Sequence, residues 1–198
     1  MFAEILQEKV SGIFDLLPAQ LAELQRHYEL LLRWNRVVNL TSIADPREII
    51  ERHFCESLFL AGYLPAGELS IVDIGSGAGF PGVPVAILRP NCRITLVESR
   101  QRKAAFLKEV SRELSNVQVL AQRLEEVQGR FEWGLSRAVS YSDLGLDLKR
   151  IAVNAGLLTG TEEPPQSLGF RWDQAIALPW GKRRFLRIGH RNELYHKR

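Results

Sequence analysis

Between Val72 and Gly82 the sequence reads Val-Asp-Ile-Gly-Ser-Gly-Ala-Gly-Phe-Pro-Gly, a short apolar run that breaks into glycines at 75, 77 and 79. Glycines at this spacing permit a tight turn and let a ligand approach the main-chain amides. Glu98 lies 19 residues beyond Gly79 and ends the next apolar run. A carboxylate there accepts hydrogen bonds from both ribose hydroxyls of a nucleoside. Two nucleoside cofactors use such a pairing, NAD and S-adenosylmethionine. A pyrophosphate asks for G-x-G-x-x-G, whereas Gly75, Gly77 and Gly79 give G-x-G-x-G, with Asp73 two residues before the first glycine. A carboxylate is awkward beside pyrophosphate and compatible with the ammonium and sulfonium charges of S-adenosylmethionine. The loop therefore favours methyl transfer over hydride transfer. Asp73 has a second reading, in which it holds the loop through backbone amides, and the two stay open here.

The elements around this loop follow from periodicity. Leu21, Leu24, Tyr28 and Leu31 share one helical face, and Pro18 suits the first turn of that helix. Asp45-Pro46 is an N-cap and first-turn pair for a second helix carrying Ile49, Ile50, Phe54, Leu58 and Leu60. After Pro65-Ala-Gly67 the pattern changes to short apolar runs at 69–74, 93–98, 117–120, 133–136 and 156–159, separated by helical stretches. One of these stretches, Arg100–Leu114, puts Ala104, Leu107, Val110 and Leu114 on a common face. Strand and helix alternating in this way imply right-handed crossovers and a parallel sheet. Two further strand-like runs, 168–178 and 183–188, flank Pro179-Trp-Gly-Lys182 and predict an antiparallel hairpin. The expected fold is α/β, a doubly wound and mostly parallel Rossmann-like sheet. Residues 1–65 form a helical N-terminal extension packed on a core of residues 66–198, which ends in the hairpin.

A chain of 198 residues with 45% hydrophobic content suits one globular domain. No apolar run approaches the length of a bilayer span, and the first residues lack the basic-then-apolar pattern of a secretion signal. Cys55 and Cys92 stand 37 residues apart, outside any metal or redox spacing, which fits a reducing cytoplasm. No metal site is expected, and the chain is expected to be a monomer. Net charge is only +3 but uneven. Lys182, Arg183, Arg184, Arg187, Arg191, Lys197 and Arg198 crowd the C-terminal end against the single acid Glu193, and Arg100, Arg102, Lys103 and Lys108 lie on one predicted helix. Together these clusters suit a polyanion, with Arg102, Lys103, Lys182, Arg183 and Arg184 as the candidate phosphate-binding residues, on RNA if the partner is a nucleic acid.

The chain resembles the ribosomal RNA small subunit methyltransferase G family, also called glucose-inhibited division protein B. The resemblance runs from about Leu21 to Val139. It rests on Arg33-Trp-Asn35, Asn39-Leu-Thr-Ser42, Arg52-His53, the 73–82 loop, Glu98-Ser99, Arg123-Leu-Glu-Glu126 and Ser136-Arg-Ala138. It implies a class I S-adenosylmethionine-dependent fold, a partner in small-subunit rRNA or its ribosomal particle, and N7-methylguanine as product. It further implies Gly75 and Phe80 at the cofactor loop, Leu124 and Glu125 at the adenine, and Arg137 in the cleft shared by methyl donor and acceptor. The sequence departs from the family in reading Thr159-Gly160 where Lys-Gly is usual, and in placing Glu56 at the acid of the Arg-His-x-x-Asp-Ser pattern.

What is missing fits such a reaction. There is no Pro-Cys nucleophile and no Asn/Asp-Pro-Pro-Tyr/Phe grip for an exocyclic amine, and none of the four histidines accompanies a nucleophile. His53 sits on an apolar helix face and reads as a hydrogen-bonded core residue. Guanine N7 already carries a nucleophilic lone pair, so the protein need only align the reactants. Trp34, Phe80, Tyr141 and Trp180 are aromatic candidates for stacking on a displaced base, although the core claims such residues more often. Two other readings remain: a non-catalytic RNA-binding assembly factor with a relic pocket, and a nicotinamide-dependent oxidoreductase.

Overall fold

The computed structural model describes residues 1–191; Glu193, His196, Lys197 and Arg198 of the basic tail lie outside them. Chain order begins with α1 (Phe2–Val10), α2 (Pro18–Val38) and α3 (Pro46–Ile49), continues through a π turn at Ile50–Cys55 into α4 (Glu56–Tyr63), and then enters the sheet. Five parallel strands follow, β1 (Ser70–Ile74), β2 (Arg93–Val97), β3 (Val117–Leu120), β4 (Phe131–Arg137) and β5 (Ala152–Thr159). Between them come α5 (Gly82–Leu88), α6 (Gln101–Val110), a short 3₁₀ turn at Leu124–Glu126 and α7 (Tyr141–Ile151). β6 (Phe170–Trp172), β7 (Ile176–Ala177) and β8 (Phe185–Arg191) complete an eight-stranded sheet of order β3-β2-β1-β4-β5-β8-β6, with β7 paired to β8.

The doubly wound, mostly parallel sheet agrees with the sequence expectation, and its order reverses between β1 and β4. Ligands of open α/β sheets bind outside the carboxyl ends of the strands at such a reversal. One face buries Ile71, Leu96 and Leu135 against α5, α6 and the N-terminal helices, so Leu6, Leu24, Leu31 and Phe54 belong to the same apolar core as the sheet. The other face packs Val72, Ile74 and Leu157 against Leu144, Leu148 and Ile151 of α7.

Three local readings are corrected. The helix predicted from Asp45 begins there, with Asp45 accepting from the Glu48 amide at 2.8 Å, but it is interrupted by the π turn. One extra residue in that turn rotates the helix phase, which buries His53 and Glu56 along with the apolar positions. The helix predicted over Arg100–Leu114 stops at Val110, and Leu114 packs from the turn beyond. The hairpin is antiparallel as expected, but residues 168–178 form two short strands rather than one. β8 lies between β5 and β6, and it starts at Phe185 because Arg183 adopts a left-handed φ of 61°.

Candidate functional site

The loop after β1 is braced by the ends of β2 and β4. Gly75, Gly77 and Gly79 all have positive φ, at 67°, 53° and 85°. A Cβ on Gly75 would stand 2.6 Å from Val139 Cγ2 of the segment after β4, so the turn needs glycine both for its dihedral and for its closeness to the neighbouring loop. The Ser76 amide donates to the Val97 carbonyl at 3.0 Å, which ties the loop to the end of β2. Glu98 Oε2 accepts from the Gly77 amide at 3.0 Å, while Oε1 accepts from the Arg100 amide at 2.8 Å. Each carboxylate oxygen has two lone pairs, so Glu98 keeps acceptor capacity for a ribose after bracing the loop.

The Asp73 carboxylate is fully buried, and Oδ2 accepts from the Gly82 amide at 3.0 Å. It therefore holds the loop and the start of α5, while Oδ1 has no partner among the described residues. Burial pushes its pKa up to about 7, against the opposing pull of the Gly82 hydrogen bond.

Phe80 follows Gly79 on the loop, with its side chain buried. Its ring points into the core, stacked between His27 at 4.5 Å and His53 at 4.8 Å. His27 Nε2 donates to the Ala78 carbonyl at 2.8 Å, and His53 Nε2 lies 2.9 Å from Thr41 Oγ1. Burial lowers the His27 pKa to about 4 and that of His53 to about 2, the latter lowered further by the Arg137 charge. Two neutral imidazoles from the N-terminal helices thus clamp the cofactor loop from behind. The sequence reading gave His27 no role, although its position shares the Leu24–Tyr28–Leu31 face.

Arg137, the last residue of β4, donates through Nη1 to the Arg52 carbonyl at 2.8 Å and lies 5.6 Å from the centre of the Phe80 ring. Its Nε has no partner among the described residues. Burial lowers its pKa to about 10, with Glu56 the strongest opposing charge. The following Ala138 is held at φ 59°, a cost tolerated where a site over-determines the backbone. The candidate adenine residues Leu124 and Glu125 form the 3₁₀ turn, clamped by Arg150 Nη2 to their carbonyls at 3.1 and 3.2 Å. Leu124 is half-buried and Glu125 exposed.

The sequence profile of the rRNA small subunit methyltransferase G family matches residues 20–150. A relative described as ribosomal RNA small subunit methyltransferase G from Trichormus variabilis is 38% identical over 187 residues, covering 84% of this chain and 75% of its own. The chain belongs to this family. A Methylobacillus flagellatus relative of the same description is 39% identical, covering 73% of this chain and 74% of its own. One from Nostoc punctiforme is 47% identical, covering 54% of this chain and 47% of its own length. The chain thus spans only about half of some relatives it matches. Among solved structures, magnesium protoporphyrin IX methyltransferase from Synechocystis, with bound SAH, aligns at TM-score 0.59 and 12% identity over 97% of this chain and 100% of that one. A SAM-dependent methyltransferase from Aquifex aeolicus aligns at TM-score 0.58 and 17% identity, over 76% of this chain and 96% of that one. The fold is the class I, Rossmann-like methyltransferase fold.

The basic candidates divide. Arg102, Lys182 and Arg183 are exposed and Lys103 is half-buried. Arg184 is not available to RNA: it forks onto Glu56, Nε to Oε1 at 3.0 Å and Nη2 to Oε2 at 2.6 Å, and Glu56 is 0% exposed. This ion pair also gives the family-variant acid a structural use. Trp180 is likewise committed, donating to the Lys9 carbonyl at 2.9 Å and packing on Phe59. Trp34 packs edge-on against Phe106. Tyr141 donates to the Glu162 carbonyl at 2.9 Å, and burial raises its phenol pKa against the pull of Thr159 and Arg187. Among the described residues no helix is long and apolar enough to cross a membrane.

Proposed function

We propose that this chain transfers the methyl group of S-adenosylmethionine to N7 of a guanine in small-subunit ribosomal RNA. The observation that carries the reading is the braced glycine loop joined to Glu98 at the switch point, in a chain of the methyltransferase G family. The cofactor supplies an electrophilic methyl on a sulfonium. Gly75, Gly77 and Gly79 shape the backbone that receives it, and Glu98 accepts from the ribose with its remaining lone pairs. Leu124 and Glu125, their turn fixed by Arg150, would hold the adenine.

The base must leave its stack to reach this edge, because N7 faces the deep groove of A-form RNA. No side chain has to remove a proton from it, since the N7 lone pair attacks directly. His27 and His53 are buried and face the core, so neither serves as a base. Arg137 orients donor and acceptor where they meet, and Arg102, Lys103, Lys182 and Arg183 meet backbone phosphates. The protein works in the cytoplasm as a monomer, with the helices of residues 1–65 as an extension on the catalytic core.

The test is tritiated S-adenosylmethionine supplied with small-subunit particles from cells lacking the protein, followed by nucleoside mapping. Label in 7-methylguanosine is the expected result. RNA binding without label would favour an assembly factor and overturn the reading.

A further inference from the structure

A second guanidinium stands at the carboxyl edge of the sheet, on the face opposite Arg137. Arg187 of β8 pairs in register with Leu157 of β5, Leu157 with Ser136 of β4, and Ser136 with Ile74, the last residue before the glycine loop. These four residues form one row across the sheet, on the face covered by α7. The Arg187 side chain is 8% exposed, and its Nε has no partner among the described residues. It packs over the Phe185 ring at 5.3 Å. Among the described residues the one acid bridged to it is Glu163, 3.7 Å away and itself 84% exposed on the 160–165 loop.

Burying a guanidinium is expensive unless it is paired and its donors are used. A long contact to one solvated carboxylate, with Nε unused, leaves most of that cost uncompensated. Arg187 therefore keeps donor capacity that Glu163 does not use. Neighbouring strands lie about 4.8 Å apart, so three steps put Arg187 roughly 14 Å from Ile74 and the methyl donor's loop. That is the scale of one or two nucleotides along a strand whose target base has been drawn to the glycine loop.

We propose that Arg187 binds a backbone phosphate of the RNA strand next to the modified nucleotide, with Glu163 occupying the guanidinium until RNA displaces it. The proposal rests on RNA being the substrate. It gives Glu163 a use as a screen that strong phosphate ligands overcome and weak anions do not.

The experiment measures the affinity of the full chain for small-subunit rRNA as a function of salt, with the cofactor-induced thermal shift as control. Arg187→Gln is expected to lower the log–log salt slope by about 0.7–0.9, the worth of one phosphate contact, and to leave the thermal shift intact. Since Arg187→Gln also disturbs a buried site, Glu163→Gln supplies an independent arm at an exposed position. It is expected to tighten RNA binding two- to fivefold, with the gain lost in the Arg187→Gln background and absent from Glu162→Gln. An equal gain from Glu162→Gln, or one that survives without Arg187, would mean that only the general field changed and would overturn the proposal. A wild-type chain that neither binds nor methylates the rRNA would overturn the functional reading itself; a methylating wild type with these variants unaltered would sink the Arg187 site alone.

Discussion

Replacing His27 with glutamine separates the clamp behind the cofactor loop from the rest of the protein's pH response. His27 is fully buried with its pKa lowered to about 4, chiefly by desolvation, whereas an unfolded histidine titrates near 6.5. Its folded pKa is depressed, so the neutral form is favoured in the native state. The associated stability is present above pH 6.5 and is lost as pH falls from there toward 4. Between pH 7.5 and 5.0, linkage assigns to this one residue a loss of about 2 kcal/mol. His53 adds a loss of the same sign. Asp73, raised to about 7, contributes oppositely, since its folded state keeps a proton that the unfolded chain has shed. Both contributions are common to the wild type and the His27→Gln variant, and they cancel in the difference. The glutamine places an amide nitrogen near the position of Nε2 and can still donate to Ala78. The assay is urea unfolding followed by tryptophan fluorescence at the two pH values. The wild-type advantage over His27→Gln should shrink by about 2 kcal/mol at pH 5.0; parallel responses would show that His27 is not held neutral.

Glu98→Ala should reduce the rise in melting temperature produced by S-adenosylmethionine, whose binding to an intact site adds about 2.7 kcal/mol of stability at 100 Kd; a full shift would make Glu98 purely a loop brace. Arg184→Ala should destabilise the fold by about 3 kcal/mol, because it strands the buried Glu56 carboxylate, whereas Lys182→Ala with Arg183→Ala should leave the melting temperature unchanged and flatten the salt dependence of RNA binding. Asp73→Asn should remove a loss of stability that the wild type suffers as pH rises from about 4 to 7, checked by denaturation across that range. Arg137→Lys should fold normally by circular dichroism yet slow single-turnover methylation roughly 5- to 150-fold, equivalent to about 1–3 kcal/mol.

The glycine loop and Glu98 were legible in the sequence because their constraints are local. Positive φ at Gly75 selects glycine, and a strand–helix–strand unit fixes the spacing from the loop to the next strand end. The parallel sheet was legible for the same reason. What was not legible depends on residues far apart in the chain. Glu56 and Arg184 are separated by 128 positions, so Arg184 read as one more surface cation of a basic run. The burial of the Phe80 ring was not legible either, because nothing in its neighbourhood reveals that His27 and His53 arrive from the N-terminal helices to enclose it. The π turn escaped as well, since one extra residue shifts the phase of a helix without removing any of its apolar positions.

The charge balance of the proposed reaction explains why Arg137 should act by orientation. The donor sulfonium carries one positive charge before transfer, and the methylated purine carries it afterwards. The reacting pair therefore stays at +1 throughout, and a fixed cation repels its ground and transition states to nearly the same degree. Arg137 gains little by charge alone, and the same holds for Arg52 and Arg184, which stand around the fully buried Glu56. That carboxylate offsets part of the repulsion. What distinguishes Arg137 is geometry: one edge of its guanidinium is fixed to the Arg52 carbonyl and the plane lies beside the Phe80 ring. The remaining donors consequently point in a direction set by the N-terminal helices as well as by β4. Lysine at this position would keep the charge and lose the plane, so a slow Arg137→Lys enzyme with normal cofactor affinity would locate the effect in alignment.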